Sequence, residues 1–136
     1  MNEHQHQVIL FERADLNLKK YPELDMLFAI PNGGLRNKVV AVKLKKEGSK
    51  AGYPDIALDV ARGGYHGLRI ELKKTKCLKS GPGRVTEKQQ EWIEKLEAQG
   101  YKALACWGWE EAWQVILDYL DNKLMRYARQ NTELVK

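Results

Sequence analysis

Two short apolar runs at residues 54–60 and 67–73 constrain the fold of this chain more than any other feature. Both runs are rich in aliphatic residues, and a stretch of Gly and Arg separates them, which predicts two neighbouring β-strands. Alternate side chains of a strand share a face, so Glu71 and Lys73 are expected to point together while Ile70 and Leu72 point into a core. The pattern predicts a sheet that fixes charged groups on one face.

The charged residues of this strand pair suggest a particular chemistry. Asp55 lies near the start of the first strand, and Glu71 and Lys73 lie on the second. Carboxylates hold hard cations such as Mg²⁺ or Mn²⁺, and a lysine beside them can stabilise developing charge or orient attacking water. We interpret Asp55, Glu71 and the backbone carbonyl of Leu72 as metal ligands, with Lys73 as the catalytic group of a phosphodiester hydrolase. The alternative is a solvated strand face, because an acid and a lysine two residues apart often occur by chance.

Helical patterns surround the strand pair and complete an α/β fold. Thr86-Glu87-Lys88-Gln89 fits a capping box, in which Thr86 is the N-cap and Gln89 is the third helical residue. The predicted helices cover residues 5–21, 37–47, 87–99 and 110–129, and a third strand covers residues 101–107. These elements predict a mixed central β-sheet flanked by helices. We expect one domain over residues 1–136, with its core at about 3–120 and a C-terminal helix and tail at 121–136.

The composition excludes several classes of protein. Charged residues make up 30% of the 136 residues and hydrophobic residues 43%, which is typical of a globular protein and not of a disordered one. Neither a membrane-spanning run nor a signal peptide is expected. Cys77 and Cys106 are far apart and form no C-x-x-C pattern, which favours a reducing cytoplasm and argues against a zinc site or a disulfide framework.

Positive charge is concentrated around the candidate site. Residues 33–88 contain 14 Lys and Arg against 5 Asp and Glu, a local net charge of +9, whereas the rest of the chain carries −4. This basic segment is also the one that contains Asp55, Glu71 and Lys73. A basic surface beside an acidic pocket favours a polyanion, and a nucleic acid above all, as the substrate.

Two sets of motifs in the chain resemble those of a known nuclease family. Gly52-x-Pro54-Asp55 followed by Ile70-Glu71-Leu72-Lys73 resembles the signature of the PD-(D/E)XK nuclease superfamily. Pro31-Asn32-Gly33-Gly34-x-Arg36 and Gln89-x-x-Trp92 are similar to those of its VRR-NUC branch. The resemblance covers about residues 3–120, and it implies a stand-alone nuclease domain with a restriction-endonuclease-like core.

The resemblance also implies roles for individual residues. By this likeness Asp55 and Glu71 are metal ligands, Lys73 is catalytic, and Gln89 is an active-site residue on the following helix. Gln89 has a second interpretation from local sequence alone, as the capping-box partner of Thr86. The Gln89 side chain cannot close the capping box and act in the active site at the same time.

The resemblance also implies that an acidic residue on the first helix belongs to the active site. Glu3 is the candidate, because Glu3 and Gln7 lie one helical turn apart and share a face, and Glu12 is the competitor. His4 and His6 in the same segment are expected to be exposed, since terminal histidines seldom form a metal site.

Residues that would contact DNA flank this site on both sides. Backbone N–H groups of the 31–34 turn could approach phosphate, although a plain tight turn explains these residues equally well. The basic second helix and the loop after the second strand of the pair would grip the DNA backbone. The predicted contacts are Asn32, Gly33, Arg36, Lys43, Lys46, Lys74, Lys76, Lys79 and Arg84.

The sequence thus predicts a Mg²⁺- or Mn²⁺-dependent DNA endonuclease. The resemblance implies branched DNA such as four-way junctions as the substrate, a homodimer, and a role in repair, recombination or phage DNA processing in a bacterial cytoplasm. Two cuts across a junction need two sites related by a two-fold axis, which also favours a dimer. The alternatives are a non-catalytic nucleic-acid-binding protein on the same fold and a restriction-type enzyme with sequence specificity.

Overall fold

In the computed structural model, which describes residues 1–31 and 38–127, four strands form one mixed sheet. They lie side by side in chain order: β1 (Leu27–Ala29), β2 (Ile56–Leu58), β3 (Leu68–Lys73) and β4 (Lys102–Trp107). The β1–β2 and β2–β3 pairs are antiparallel and the β3–β4 pair is parallel. The predicted strand pair, third strand and mixed sheet are confirmed. The sequence analysis did not predict β1, which forms in a short apolar run that ends at Ile30.

Four α-helices flank this sheet: α1 (Glu3–Leu16), α2 (Lys38–Lys46), α3 (Glu87–Ala98) and α4 (Trp109–Leu120). A short 3₁₀ helix at Pro22–Met26 leads from α1 into β1. The start of α1 is fixed by a capping box, because the Asn2 side chain accepts the N–H of Gln5 at 2.8 Å and the Gln5 side chain accepts the N–H of Asn2 at 2.8 Å. This cap starts α1 two residues earlier than predicted, and the helix ends at Leu16 instead of residue 21.

The last helix is shorter than the sequence indicated. The prediction of a helix over residues 110–129 is wrong beyond Leu120, and so is the expected C-terminal helix after residue 120 in the described part of the chain. Asn122 adopts a left-handed backbone conformation with φ of 58°, which ends the helical path. The N–H of Arg126 then donates to the carbonyl of Gly63 at 2.8 Å, so the chain turns back onto the 62–65 turn.

The sheet is covered on both faces. On one face α1 and α4 pack against the aliphatic side chains of β2 and β3, with Leu10, Ile70 and Ile116 fully buried. The other face is covered by α3, whose Ile93 and Leu96 pack against β4. The connection from β3 through α3 to β4 is the helical crossover that a parallel pair needs. The architecture is therefore an α/β sandwich of three layers.

Two further features of the described residues bear on the class of protein. No helix in the described ranges is both long enough and apolar enough to span a bilayer. Cys77 and Cys106 are both free thiols, the first exposed and the second buried.

Candidate active site

The β2–β3 register brings the predicted carboxylates together. Ile56 pairs with Ile70, so the same register continued by one residue places Asp55 opposite Glu71. Asp55 follows the buried Pro54 at the entrance to β2, and its Oδ2 accepts the N–H of Leu72 at 3.0 Å. This bond fixes the Asp55 carboxylate beside β3, where it meets Glu71 on the α3 face of the sheet.

Glu71 and Lys73 are buried, although their alternation with aliphatic residues is also typical of an exposed strand face. Their exposed fractions are 3% and 6%, so the interpretation as a solvated strand face is wrong. Their neighbours in β4 are Ala105 and Trp107, and α3 covers this side of the sheet. Buried charged groups are rare unless they are paired or hold an ion, which marks this pair as a candidate site.

The electrostatics of Glu71 are those of a buried carboxyl group with one unpaired oxygen and a second carboxylate beside it. Its Oε1 is buried without a hydrogen bond. Burial raises the pKa of Glu71 well above its ordinary value of 4.5, the adjacent Asp55 carboxylate raises it further, and the Lys73 ammonium opposes both effects. A second carboxylate beside a buried one favours either a shared proton or a bound cation between them.

The donor set fits a hard divalent cation. Mg²⁺ commonly takes one or two carboxylates and completes its octahedron with phosphate oxygens and water. The backbone N–H and C=O of one strand residue point to the same side, so the carbonyl of Leu72 faces the side on which Asp55 accepts its N–H. Within the described ranges no three His, Cys, Asp or Glu side chains gather into a ligand cluster, so the protein would supply Asp55, Glu71 and this carbonyl only.

The first helix contributes Glu3 to the edge of this site. The Glu3 Oε2 lies 3.4 Å from the N–H of Lys74, directly after β3. A methyl group added at Gly83 would lie 3.0 Å from Glu3 Oε2 and 3.2 Å from the Cδ of Lys73, so Gly83 occupies the gap between the two side chains. The competitor Glu12 is exposed and lies about two and a half turns further along α1.

Gln89 adopts its structural role in this conformation. Its Oε1 accepts the N–H of Thr86 at 2.9 Å, and its own N–H donates to the Thr86 hydroxyl at 3.2 Å. The predicted capping box is therefore confirmed. The catalytic role remains a prediction, and it would require the Gln89 side chain to leave the cap.

His6 is a buried residue that the sequence analysis placed on the surface. The expectation of an exposed His6 is wrong, because α1 packs it against the start of α4, where its Nδ1 accepts the N–H of Trp109 at 3.1 Å. Burial lowers the pKa of His6 from 6.5, and the positive N-terminus of the chain lowers it further. The terminal position of His6 concealed this contact, since nothing local signals the packing of α1 on α4.

The predicted DNA contacts fall into three groups. Asn32, Gly33 and Arg36 lie outside the described residues. Lys43 and Lys46 are exposed on α2. The segment after β3 carries three more exposed residues, Lys76, Lys79 and Arg84. Lys74 is less available, because its Nζ donates to the Ser80 hydroxyl at 2.7 Å and to the Gly81 carbonyl at 2.5 Å.

A basic cleft between α2 and α3 was not anticipated from the sequence. The cavity has a volume of about 600 Å³, and its lining does not include the carboxylates. Its floor is apolar and includes Leu44 and Trp92, and four lysines line it: Lys45, Lys50, Lys88 and Lys95. Lys88, Trp92 and Lys95 recur at helical spacing, which could have indicated one shared face of α3.

The loop before β2 connects this cleft to the carboxylates. Gly52 has φ of 87°, and a methyl group added there would lie 2.9 Å from the backbone carbon of Lys88. Only glycine allows both this conformation and this close approach. The Trp92 indole N–H donates to the carbonyl of Ala51 at 3.1 Å, so α3 holds the loop four residues before Asp55.

Comparison with known proteins agrees with this fold. The family model described as the VRR-NUC domain matches residues 2–109. A solved structure described as a VRR_NUC domain protein is 34% identical, covers 90% of this chain and 90% of its own, and superposes with a TM-score of 0.72. No curated protein matches the chain.

The fold and the paired carboxylates define the chain as an α/β protein of the nuclease class. The chain belongs to the VRR-NUC family, which is a nuclease family. The family resemblance predicted from the motifs at Asp55 and at residues 70–73 is thereby confirmed.

Proposed function

We propose that this protein is a Mg²⁺- or Mn²⁺-dependent endonuclease that hydrolyses phosphodiester bonds in DNA. The observation that carries the proposal is the pair of carboxylates, the half-buried Asp55 and the buried Glu71, across the β2–β3 register with Lys73 on the same face. The unpaired Oε1 of Glu71 and its raised pKa support the proposal, because both are expected of a buried carboxylate that serves as a cation ligand.

Asp55, Glu71 and the carbonyl of Leu72 would hold the cation. When bound, the cation neutralises negative charge on the phosphate and lowers the pKa of coordinated water. The chain itself supplies Lys73, whose buried ammonium would stabilise negative charge on the phosphate as water attacks phosphorus and the ester oxygen leaves. Glu3 at the mouth of the site would orient water or a second cation.

The surface around the site supports DNA as the substrate. Exposed lysines lie on α2 and on the segment after β3, and the basic cleft adds Lys50, Lys88 and Lys95. Contacts of this kind attach to phosphates and carry no sequence information, which favours recognition of DNA shape over DNA sequence. We further propose that the substrate is branched DNA and that the protein acts as a homodimer, since paired cuts require two sites.

The test is cleavage of labelled DNA by the wild-type chain and by the Asp55→Asn variant, each with Mg²⁺, Mn²⁺ or EDTA. The substrates are a four-way junction, a flap and a linear duplex of the same sequence. We expect metal-dependent cutting that falls at least about 100-fold in the variant, with the junction cut faster than the duplex. Tight binding without cutting under every metal condition would instead identify a DNA-binding protein that retains the nuclease fold.

A further inference from the structure

A basic hairpin rises directly from the active site. Residues 74–83 leave the end of β3 and return, and the base closes where the N–H of Gly83 donates to the carbonyl of Lys74 at 3.0 Å. Near the tip, Cys77 and Ser80 form an antiparallel bridge with the N–H of Cys77 donating to Ser80 at 2.9 Å. We call this segment the 74–83 hairpin.

Internal bonds brace this hairpin against the site. The Lys74 ammonium spans it to the Ser80 hydroxyl and the Gly81 carbonyl. The indole N–H of Trp107, at the end of β4, donates to the carbonyl of Gly83 at 2.7 Å. The hairpin base is therefore fixed to the same sheet that holds Lys73, and the tip is presented in a defined position.

Leu78 stands at the tip of the hairpin with its whole side chain in water. Its relative exposure is 107%, the largest of the exposed apolar residues in the described ranges, and Lys76 and Lys79 beside it are also exposed. A lone exposed leucine needs no explanation on an ordinary surface. A fully exposed leucine between two lysines, on a braced turn next to a nuclease site, combines an apolar wedge with phosphate-binding groups.

We infer that Leu78 inserts between stacked bases near the cleaved bond, while Lys76 and Lys79 bind the flanking phosphates. This inference rests on the proposed function for its substrate, DNA. Apolar side chains such as leucine are used as wedges that unstack a base step and kink the duplex. The tip lies about four residues from the hairpin base, or roughly 13 Å of extended chain, so the unstacked step falls within about four base pairs of the cut.

The wedge determines which DNA is favoured. Insertion into an intact duplex costs the stacking energy of one step, whereas a mismatch, a bulge or a branch point has already lost that stacking. Leu78 therefore selects locally unstacked DNA over intact duplex. The lysines alone would bind both kinds of DNA equally, because they contact only phosphates.

The test compares wild-type protein with Leu78→Ala, and with Leu16→Ala as the matched control. Leu16 is 81% exposed at the end of α1, so both variants remove an exposed leucine that has little effect on folding. The probes are duplexes with 2-aminopurine at successive steps, in EDTA so that no cutting occurs, and a bulged duplex against an intact one for affinity. We expect 2-aminopurine fluorescence to rise at one step with wild type and with Leu16→Ala, and to stay at the level of free DNA with Leu78→Ala.

The affinity measurement gives the second result. We expect Leu78→Ala to reduce the preference for bulged over intact duplex at least tenfold, with Leu16→Ala unchanged. An unchanged fluorescence rise or an unchanged preference in Leu78→Ala overturns the inference even if the protein cuts DNA. A Leu78-dependent signal in a protein that cuts under no metal condition supports the wedge and overturns only the proposed nuclease function.

Discussion

At the scale of single residues, Glu71 is a carboxylate held away from water beside a second carboxylate. Only 3% of it is exposed, and its Oε1 has no hydrogen-bond partner. A structural residue at this position would be aliphatic, as Ile70 and Leu72 are on the opposite face. The proposed cation would offset the cost of burying this acid, and this leads to a prediction about stability without metal.

We expect Glu71→Gln to stabilise the protein in EDTA, because the folded state then no longer holds a buried acid beside Asp55. The pKa of Glu71 is raised on folding, so the folded state binds the extra proton and wild type loses stability as the pH rises above 4.5. The stability gain of Glu71→Gln should therefore be small at pH 5 and grow to pH 8. Urea unfolding at each pH measures it, with the exposed Glu12→Gln as control, and an equal difference at both pH values would contradict the account.

His6 predicts the opposite pH dependence. Its pKa is lowered on folding, so the unfolded state binds more protons below 6.5 and wild type loses stability as the pH falls through that value. His6→Asn keeps an acceptor for the Trp109 N–H but does not titrate. We expect wild type to lose more stability than His6→Asn between pH 7.5 and pH 5.5 in urea unfolding. Parallel losses in the two proteins would show that His6 does not titrate in this range.

At the scale of elements, the start of α3 carries Gln89, which has a structural role in the capping box and a proposed role in catalysis. Gln89 closes the capping box with Thr86, and its helix packs on β4 on the same face of the sheet that carries Glu71 and Lys73. A glutamate serves the box as well as glutamine does, whereas an added negative charge would disturb the chemistry that the proposed active-site role requires. The two roles of Gln89 can therefore be separated.

We expect Gln89→Glu to keep wild-type stability and to lose at least about tenfold in cleavage rate. Thr86→Ala should show the reverse, a loss of about 1 kcal/mol in the free energy of unfolding from the missing cap with near-normal cleavage. Thermal unfolding and initial cleavage rates measure the two effects. A Gln89→Glu variant that cuts at the wild-type rate would leave Gln89 with the cap alone.

The helices and strands also show how much of the fold local sequence patterns predict. Periodicity and local signals gave β2, β3, β4 and the α3 cap, because strand alternation and capping depend on near neighbours in the chain. The burial of Glu71 and His6 depends on packing of distant helices, which local patterns do not encode. The end of α4 depends on the left-handed Asn122 and the return to Gly63, and neither has a strong local signal.

At the scale of the whole molecule, the basic cleft between α2 and α3 brings together four lysines, three of which belong to the basic segment that contains the candidate site. Lys50 comes from the loop and Lys95 from α3, and a chain-wide charge count does not reveal that they meet. We propose the cleft as a route for the DNA backbone because of this convergence. Phosphate contacts release counterions, so each one steepens the fall of affinity with salt.

We expect the double variant Lys50→Gln/Lys95→Gln to bind DNA more weakly and to reduce the slope of log affinity against log salt by about 2. The control is Lys19→Gln/Lys123→Gln, which removes two exposed lysines outside the cleft. Anisotropy with labelled duplex over a range of salt concentrations measures both slopes. Equal slopes for the two double variants would place the DNA elsewhere on the surface.

The central claim is that Asp55 and Glu71 jointly hold a divalent cation, and direct binding of Mn²⁺ tests it most closely. Electron paramagnetic resonance would count free and bound Mn²⁺ in wild type and in Asp55→Asn, which keeps an acceptor for the Leu72 N–H. We expect wild type to bind Mn²⁺ in competition with Mg²⁺, and Asp55→Asn to bind at least tenfold more weakly. Equal binding by the two proteins, or none by wild type, would contradict the account.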